Sequence, residues 1–175
     1  MKLLARILPP LLVAVAALLT ATACIPSYKF NGSAINYNVY KTVNISEFPI
    51  RAALVYPPLQ QVFENKLMDA VTRQTRLRIV DGNNADLRVS GEITGYSLSP
   101  QAVGTDAYAT ETRLTITVRL KYEDTKNASN NVDQSFSAYR QFSSSLMLTD
   151  VQDELCQQIS DELVDLIFNA TFGNW

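Results

Sequence analysis

No histidine occurs among the 175 residues, and only two cysteines do, Cys24 and Cys156. Without imidazole neither a Ser-His-Asp nor a Cys-His catalytic group can be assembled, and the usual histidine-containing zinc sites are excluded as well. The six glycines are scattered and form no phosphate-cradling loop. Charge is sparse too: 15 Lys and Arg stand against 17 Asp and Glu. Two of those cations, Lys2 and Arg6, fall near the N-terminus, so the rest of the chain is mildly acidic and lacks the basic excess of a nucleic-acid binder. The adjacent carboxylates Asp161 and Glu162 lie on an exposed helix face where both ionise, which gives no acid–base pair for a hydrolase.

What is present begins with a greasy leader. Lys2 and Arg6 supply a basic start, Leu11 to Leu19 is an uncharged apolar run, and Ala21-Thr22-Ala23 leads into Cys24. This is the three-part pattern of an export signal. The apolar run is short of the ~20 residues a membrane span needs, and Pro9-Pro10 interrupts its start. A plain secretory signal requires no thiol after the cleavage site, whereas a lipobox does. The expected cut therefore lies between Ala23 and Cys24, leaving Cys24 as a mature N-terminus with diacylglycerol on sulfur and a third acyl chain on nitrogen. Three chains at ~0.8 kcal/mol per buried CH₂ hold a protein firmly on a bilayer. This covalent lipid is the only non-protein group expected, with no other cofactor and no metal.

The mature chain is one domain's worth of sequence. It is expected to divide into a signal over 1–23, a lipidated, loosely structured tether over 24–40 and a single α+β domain over 41–175. With Cys24 taken by lipid, Cys156 is a lone thiol, read as a small half-buried apolar residue beside a helix stripe. From Lys41 to Phe48, Val43, Ile45 and Phe48 alternate with polar residues, as in a strand ended by Pro49. Pro57-Pro58 opens a helix whose apolar stripe is Leu59, Val62, Phe63, Leu67, Ala70 and Val71. Arg73 and Arg76 are placed in its last turns, where cations favour the negative end of the dipole.

Leu77 to Val80 reads as a strand, and Asp81 to Asn84 as a turn. Leu87, Val89, Gly91 and Ile93 share one face of a further strand, with a bulge or bend expected between Gly91 and Tyr96. Ser99 to Asp106 is read as a loop. The clearest strand alternates Leu114, Ile116, Val118, Leu120 and Tyr122 against Arg113, Thr115, Thr117, Arg119 and Lys121. A polar hairpin loop over Asp124 to Asn131 leads to a last strand, Val132 to Phe142. A final helix follows, with Thr149 or Asp150 as its N-cap. Its stripe is Val151, Leu155, Ile159, Leu163, Leu166 and Ile167, and its outer face is acidic. The simplest packing lays two helices on one face of a mostly antiparallel sheet of about four strands. The other face stays open and carries Arg88, Arg113, Arg119 and Lys121.

Several stretches together are similar to a known family. They are the lipobox, Gly91-Glu92-Ile93-Thr94-Gly95-Tyr96, Arg113-Leu114-Thr115-Ile116-Thr117-Val118, Phe136-Ser137-Ala138, and the ending Ile167-Phe168-Asn169-Ala170-Thr171 with Asn174-Trp175. In this order the chain resembles the LPS-assembly lipoproteins of the LptE type, in the form carried by Bacteroides-like bacteria. The resemblance implies a non-enzymatic, periplasm-facing lipoprotein of the outer membrane. Such a protein plugs a large LPS-assembly β-barrel and takes part in moving lipopolysaccharide to the outer leaflet. No acidic residue follows Cys24 closely, which agrees with a periplasm-facing tether. Lipopolysaccharide carries phosphates, for which Arg beside hydroxyls is suited. The candidate contacts to it or to the barrel are Arg76 and Arg78 at the end of the first helix, and Arg88, Arg113, Thr117, Arg119 and Lys121 on the open face. A small tethered activator of a peptidoglycan synthase is the alternative function.

Overall fold

The computed structural model describes residues 35–102 and 109–173. The leader, Cys24, the first part of the tether, the Val103 to Asp106 part of the expected loop, and the terminal Asn174 and Trp175 lie outside them.

A five-stranded mixed sheet carries two helices on one side. Strand β1 is Thr42–Ile45, helix α1 Pro58–Gln74, β2 Arg78–Ile79, β3 Leu87–Ala102, β4 Ala109–Asp124, β5 Val132–Ser143 and helix α2 Leu148–Thr171. The spatial order is β2-β1-β3-β4-β5. β1 runs parallel to both β2 and β3, while β3, β4 and β5 form an antiparallel meander. A parallel neighbour requires a crossover, and α1 supplies the one between β1 and β2. The expected architecture therefore holds with five strands in place of about four; the strand expected over Leu77 to Val80 is β2, shortened to Arg78–Ile79.

Alternation along β4 puts Leu114, Ile116, Val118, Leu120 and Tyr122 into the core, all at 0–1 % exposure. From α1, Leu59, Phe63, Leu67 and Val71 meet them, with Val62 and Ala70 at the margins. At about 1.5–3 kcal/mol for each fully buried large apolar side chain, this stripe outweighs the weak capping of a helix whose N-cap is Pro57. The two helices run in the same direction, since Tyr56 pairs with Asp153 and Lys66 with Asp161.

Two boundaries differ from expectation, the end of β3 and the start of the last helix, each for a packing reason. Ser99 to Ala102 continue β3, paired with β4 from Arg113 to Ala109. Pro100 is tolerated because β3 has no second neighbour there. The bulge expected between Gly91 and Tyr96 is present at Thr94, between Ile93 and Gly95, and restores the apolar side of the strand so that Tyr96 turns inward. Helix α2 starts at Leu148 with Met147 in the N-cap position and no side-chain cap; Thr149 and Asp150 fall in the first turn. Packing of Leu148 against the core replaces the cap. Along α2 the buried stripe is Leu155, Ile159, Leu163 and Ile167, and a second row of Cys156, Ser160, Val164, Phe168 and Thr171 is buried too. Leu166, placed on the stripe by spacing, is 40 % exposed.

Packing also begins inside the segment read as tether. Ile35 and Tyr40 are buried, and the Tyr40 hydroxyl donates to Asp124 Oδ2 at 2.8 Å. Asp124 closes the loop after β4 by accepting from the backbone N–H of Lys126 and Asn127 and from the Asn130 amide. Asp86 accepts from the backbone of Lys41 and Thr42 and pairs with Lys126 at 2.7 Å. Two carboxylates thus pin the chain entering β1 to the ends of β3 and β4.

Candidate functional site

The sheet face opposite the helices follows from register. Pairings Ser90↔Lys121, Glu92↔Arg119, Arg119↔Ser135, Thr117↔Ser137 and Arg113↔Gln141 run across β3, β4 and β5. On β4 the residues of this face are Glu111, Arg113, Thr115, Thr117, Arg119, Lys121 and Glu123; not one is aliphatic. Arg88, Arg113, Thr117, Arg119 and Lys121 share it as expected. Arg76 and Arg78 do not lie at the end of α1, which stops at Gln74 and turns at Thr75. Arg78 sits in β2 on the far side of β1, and Arg76 lies in the connection between them, its guanidinium 5.8 Å from the Tyr37 ring centre. The candidates therefore split into a central group of five and a remote pair.

The central cations are already engaged. Arg88 pairs with Glu123 at 3.2 Å and Lys121 with the same carboxylate at 2.6 Å. Arg119 makes a forked contact to Asp133, Nε to Oδ1 at 3.2 Å and Nη2 to Oδ2 at 3.4 Å. The Arg113 guanidinium lies 4.2 Å from the Tyr139 ring centre. With the Gln141 amide turned so that its nitrogen faces Glu111 and its oxygen Arg113, each contact is 3.3 Å. Thr117 and Ser137 share a hydroxyl–hydroxyl hydrogen bond of 2.8 Å. Counting along the register, the cations Arg88, Arg113, Arg119 and Lys121 are matched by Glu92, Glu111, Glu123 and Asp133, so this part of the face carries no net charge.

The ionisation states follow from these contacts. The Lys121 ammonium holds the Glu123 carboxyl below its usual range, with partial burial opposing. Asp133 tightens the hold of Arg119 on its proton. Every ion pair here is partly exposed, so each adds little to stability; together they fix rotamers in a cross-strand lattice. A shallow depression of about 310 Å³ lies among Ser90, Gly91, Glu92, Arg119, Lys121 and Asp133.

Away from this face, Cys156 is buried at 1 % exposure beside Tyr96, deeper than the half-buried position expected. Burial pushes its thiol up to about 11. The organising roles of Asp86 and Asp124 were missed from sequence; the Asp-x-x-Asn run Asp124 to Asn127 is the signal that marks such a turn. Among the described residues no group of three or more His, Cys, Asp or Glu is placed to hold a metal ion. Nor is any described helix long and apolar enough to cross a membrane.

Fold and face together define a small helix-on-sheet domain with a broad, charge-balanced polar surface on the sheet face opposite the helices. The family model for LptE, lipopolysaccharide assembly, matches residues 40–171. The chain belongs to that family, and with it to the non-enzymatic lipoproteins of lipopolysaccharide assembly. Among solved structures, the fold is similar to a minor lipoprotein from Acinetobacter baumannii, with 19 % identity and a TM-score of 0.50, over 74 % of this chain and 90 % of that one. It is also similar to a hypothetical protein from Chlamydia trachomatis, with 11 % identity and a TM-score of 0.52, over 75 % and 97 %. No curated protein sequence matches the chain.

Proposed function

We propose that the chain is anchored to the outer membrane by lipid on Cys24, faces the periplasm, and seats its open sheet face against the lumen wall of the LPS-assembly β-barrel. The observation that supports this reading is the uninterrupted polar surface from Glu111 to Glu123 on β4, flanked by Ser135, Ser137 and Gln141. Barrel interiors are polar, and a plug must match them without exposing unpaired charge, since an unpaired charge taken out of water is costly. A surface whose cations are already engaged, Arg88, Arg119 and Lys121 by carboxylates and Arg113 by the Tyr139 ring, meets that demand. For the same reason this region is assigned to the barrel and not to the phosphates of lipopolysaccharide, because a phosphate here would have to displace Glu123 or Asp133 first.

A photocrosslinking residue at Thr117, the centre of the face, tests this in cells. The expected product is a single high-mass adduct with an outer-membrane barrel. An adduct with a peptidoglycan synthase in its place would move the protein to the class of wall-enzyme activators and overturn the reading. Anchoring is checked separately: Cys24→Ser should shift the chain from the membrane fraction to the soluble periplasm.

A further inference from the structure

The outer edge of β5 is the longest strand edge without a neighbouring strand among the described strands. β5 pairs with β4 over Val132 to Ser143 without a register shift and has no strand on its other side. In an antiparallel ladder the residues of one strand alternate between those bonded to the neighbour and those whose N–H and C=O point away. The Ser144 N–H donates to Thr110 C=O at 3.0 Å, which assigns the even-numbered residues of β5 to the β4 side. Asp133, Ser135, Ser137, Tyr139 and Gln141 therefore present their backbone groups outward. The Arg140 guanidinium donates to the Tyr139 carbonyl at 2.8 Å, which agrees with that assignment and caps this one outward carbonyl.

Natural edges are commonly protected by Lys, Pro, a bulge or brevity. The opposite edge, β2, is two residues long and begins with Arg78. β5 runs for 12 residues with neither Lys nor Pro. From Gln134 to Tyr139 it carries no charge. The charges that flank this stretch are turned to their own partners, Asp133 to Arg119 and Arg140 to Glu162. We propose that this edge is a strand-docking site that takes one extended, uncharged segment of the barrel partner by main-chain pairing along Ser135 to Ser137 and at the Tyr139 N–H, the Tyr139 carbonyl being held by Arg140. The inference rests on the barrel reading of the function and adds to it the edge at which the partner is held. Charge matching selects the occupant: five residues without charge favour a neutral segment, polar on the side that continues Ser135 and Ser137.

Amide exchange of the full-length lipidated chain, extracted from membranes with its barrel and read residue by residue after fragmentation, tests this. In the chain alone, Phe136 and Ala138 exchange slowly, while Ser135, Ser137 and Tyr139 exchange fast. In the complex these three amides should slow by at least about a hundredfold, as expected for main-chain hydrogen bonds held against opening. Fast exchange of the three in an intact complex overturns the edge proposal and leaves the barrel reading standing. If no barrel co-extracts, both fail. Slow exchange already in the chain alone, at twice the monomer mass, assigns the edge to a second copy and also overturns the proposal. Ser135→Pro deletes one outward N–H without touching the β4 ladder; loss of barrel co-extraction with an unchanged circular dichroism spectrum supports the same assignment.

Discussion

Asp86 shows how one side chain can hold a boundary of the fold. Burial by itself would raise its carboxyl, but the Lys126 ammonium, the backbone N–H of Lys41 and Thr42 and the Thr42 hydroxyl together bring it down to about 2. An unfolded aspartate titrates near ~3.9. The depressed group contributes its stability above that value, and loses it as pH falls through the folded value near 2. Asp86→Asn is therefore expected to cost about 1.5–3 kcal/mol at pH 7, the range for hydrogen bonds to a charged group. In urea titrations the gap between wild type and variant should be full above pH ~4 and should close towards pH 2. A gap independent of pH would mean that the carboxylate charge contributes nothing. The sequence marks Asp86 only as a polar residue after a turn. Its role depends on Lys41, Thr42 and Lys126 arriving from distant parts of the chain, and no local pattern encodes that meeting. Cys156 was legible as apolar, but its full burial belongs to a second row of α2 residues that is buried along with the stripe.

At the level of elements, the helix α2 boundary separates what is local from what is tertiary. Spacing alone identifies the helix and most of its packed stripe, because Leu155, Ile159, Leu163 and Ile167 repeat every four residues. It misplaces the start, because the eye seeks a capping side chain and Met147 is not one. Met147 has the extended backbone of an N-cap, φ −77° and ψ 140°, and its side chain is 72 % exposed. Met147→Asp should therefore gain a side-chain cap and a favourable charge at the positive end of the helix, together about 0.5–2 kcal/mol. For a domain of this size that is a rise in melting temperature of roughly 2–4 °C per kcal/mol, measurable by thermal scanning. A fall would show that Met147 packs in a way its exposure does not reveal. The β3 extension was hidden for a similar reason. Pro100 ends strands in most contexts, and only the brevity of β1 leaves β3 a stretch without a second neighbour, where a missing N–H costs nothing.

For the whole molecule, the informative property is balance across the sheet. The sequence shows four cations on alternate positions of two strands and so suggests a basic surface. Register shows that Glu92, Glu111, Glu123 and Asp133 lie on the same face, and register is set by long-range pairing that sequence spacing does not reveal. This turns an expected anion-binding patch into a neutral lattice, and the two readings differ in a simple experiment. Exchanging the partners in Arg119→Asp with Asp133→Arg keeps the pair and the net charge of the face. As the pair is exposed, the double variant should melt close to wild type and should keep outer-membrane integrity, read as unchanged sensitivity to a large antibiotic. Thr117→Arg adds one unmatched charge at the centre and loses the bond to Ser137. It should leave the fold intact, because the side chain points to solvent in the free chain, yet weaken barrel co-extraction, because a lumen contact would have to desolvate the new guanidinium. A phosphate-binding face predicts the reverse for both: the exchange would displace the arginine the anion needs, and the added arginine would strengthen capture. Loss of function in the exchanged pair with gain in Thr117→Arg would return this face to the lipid and remove it from the barrel.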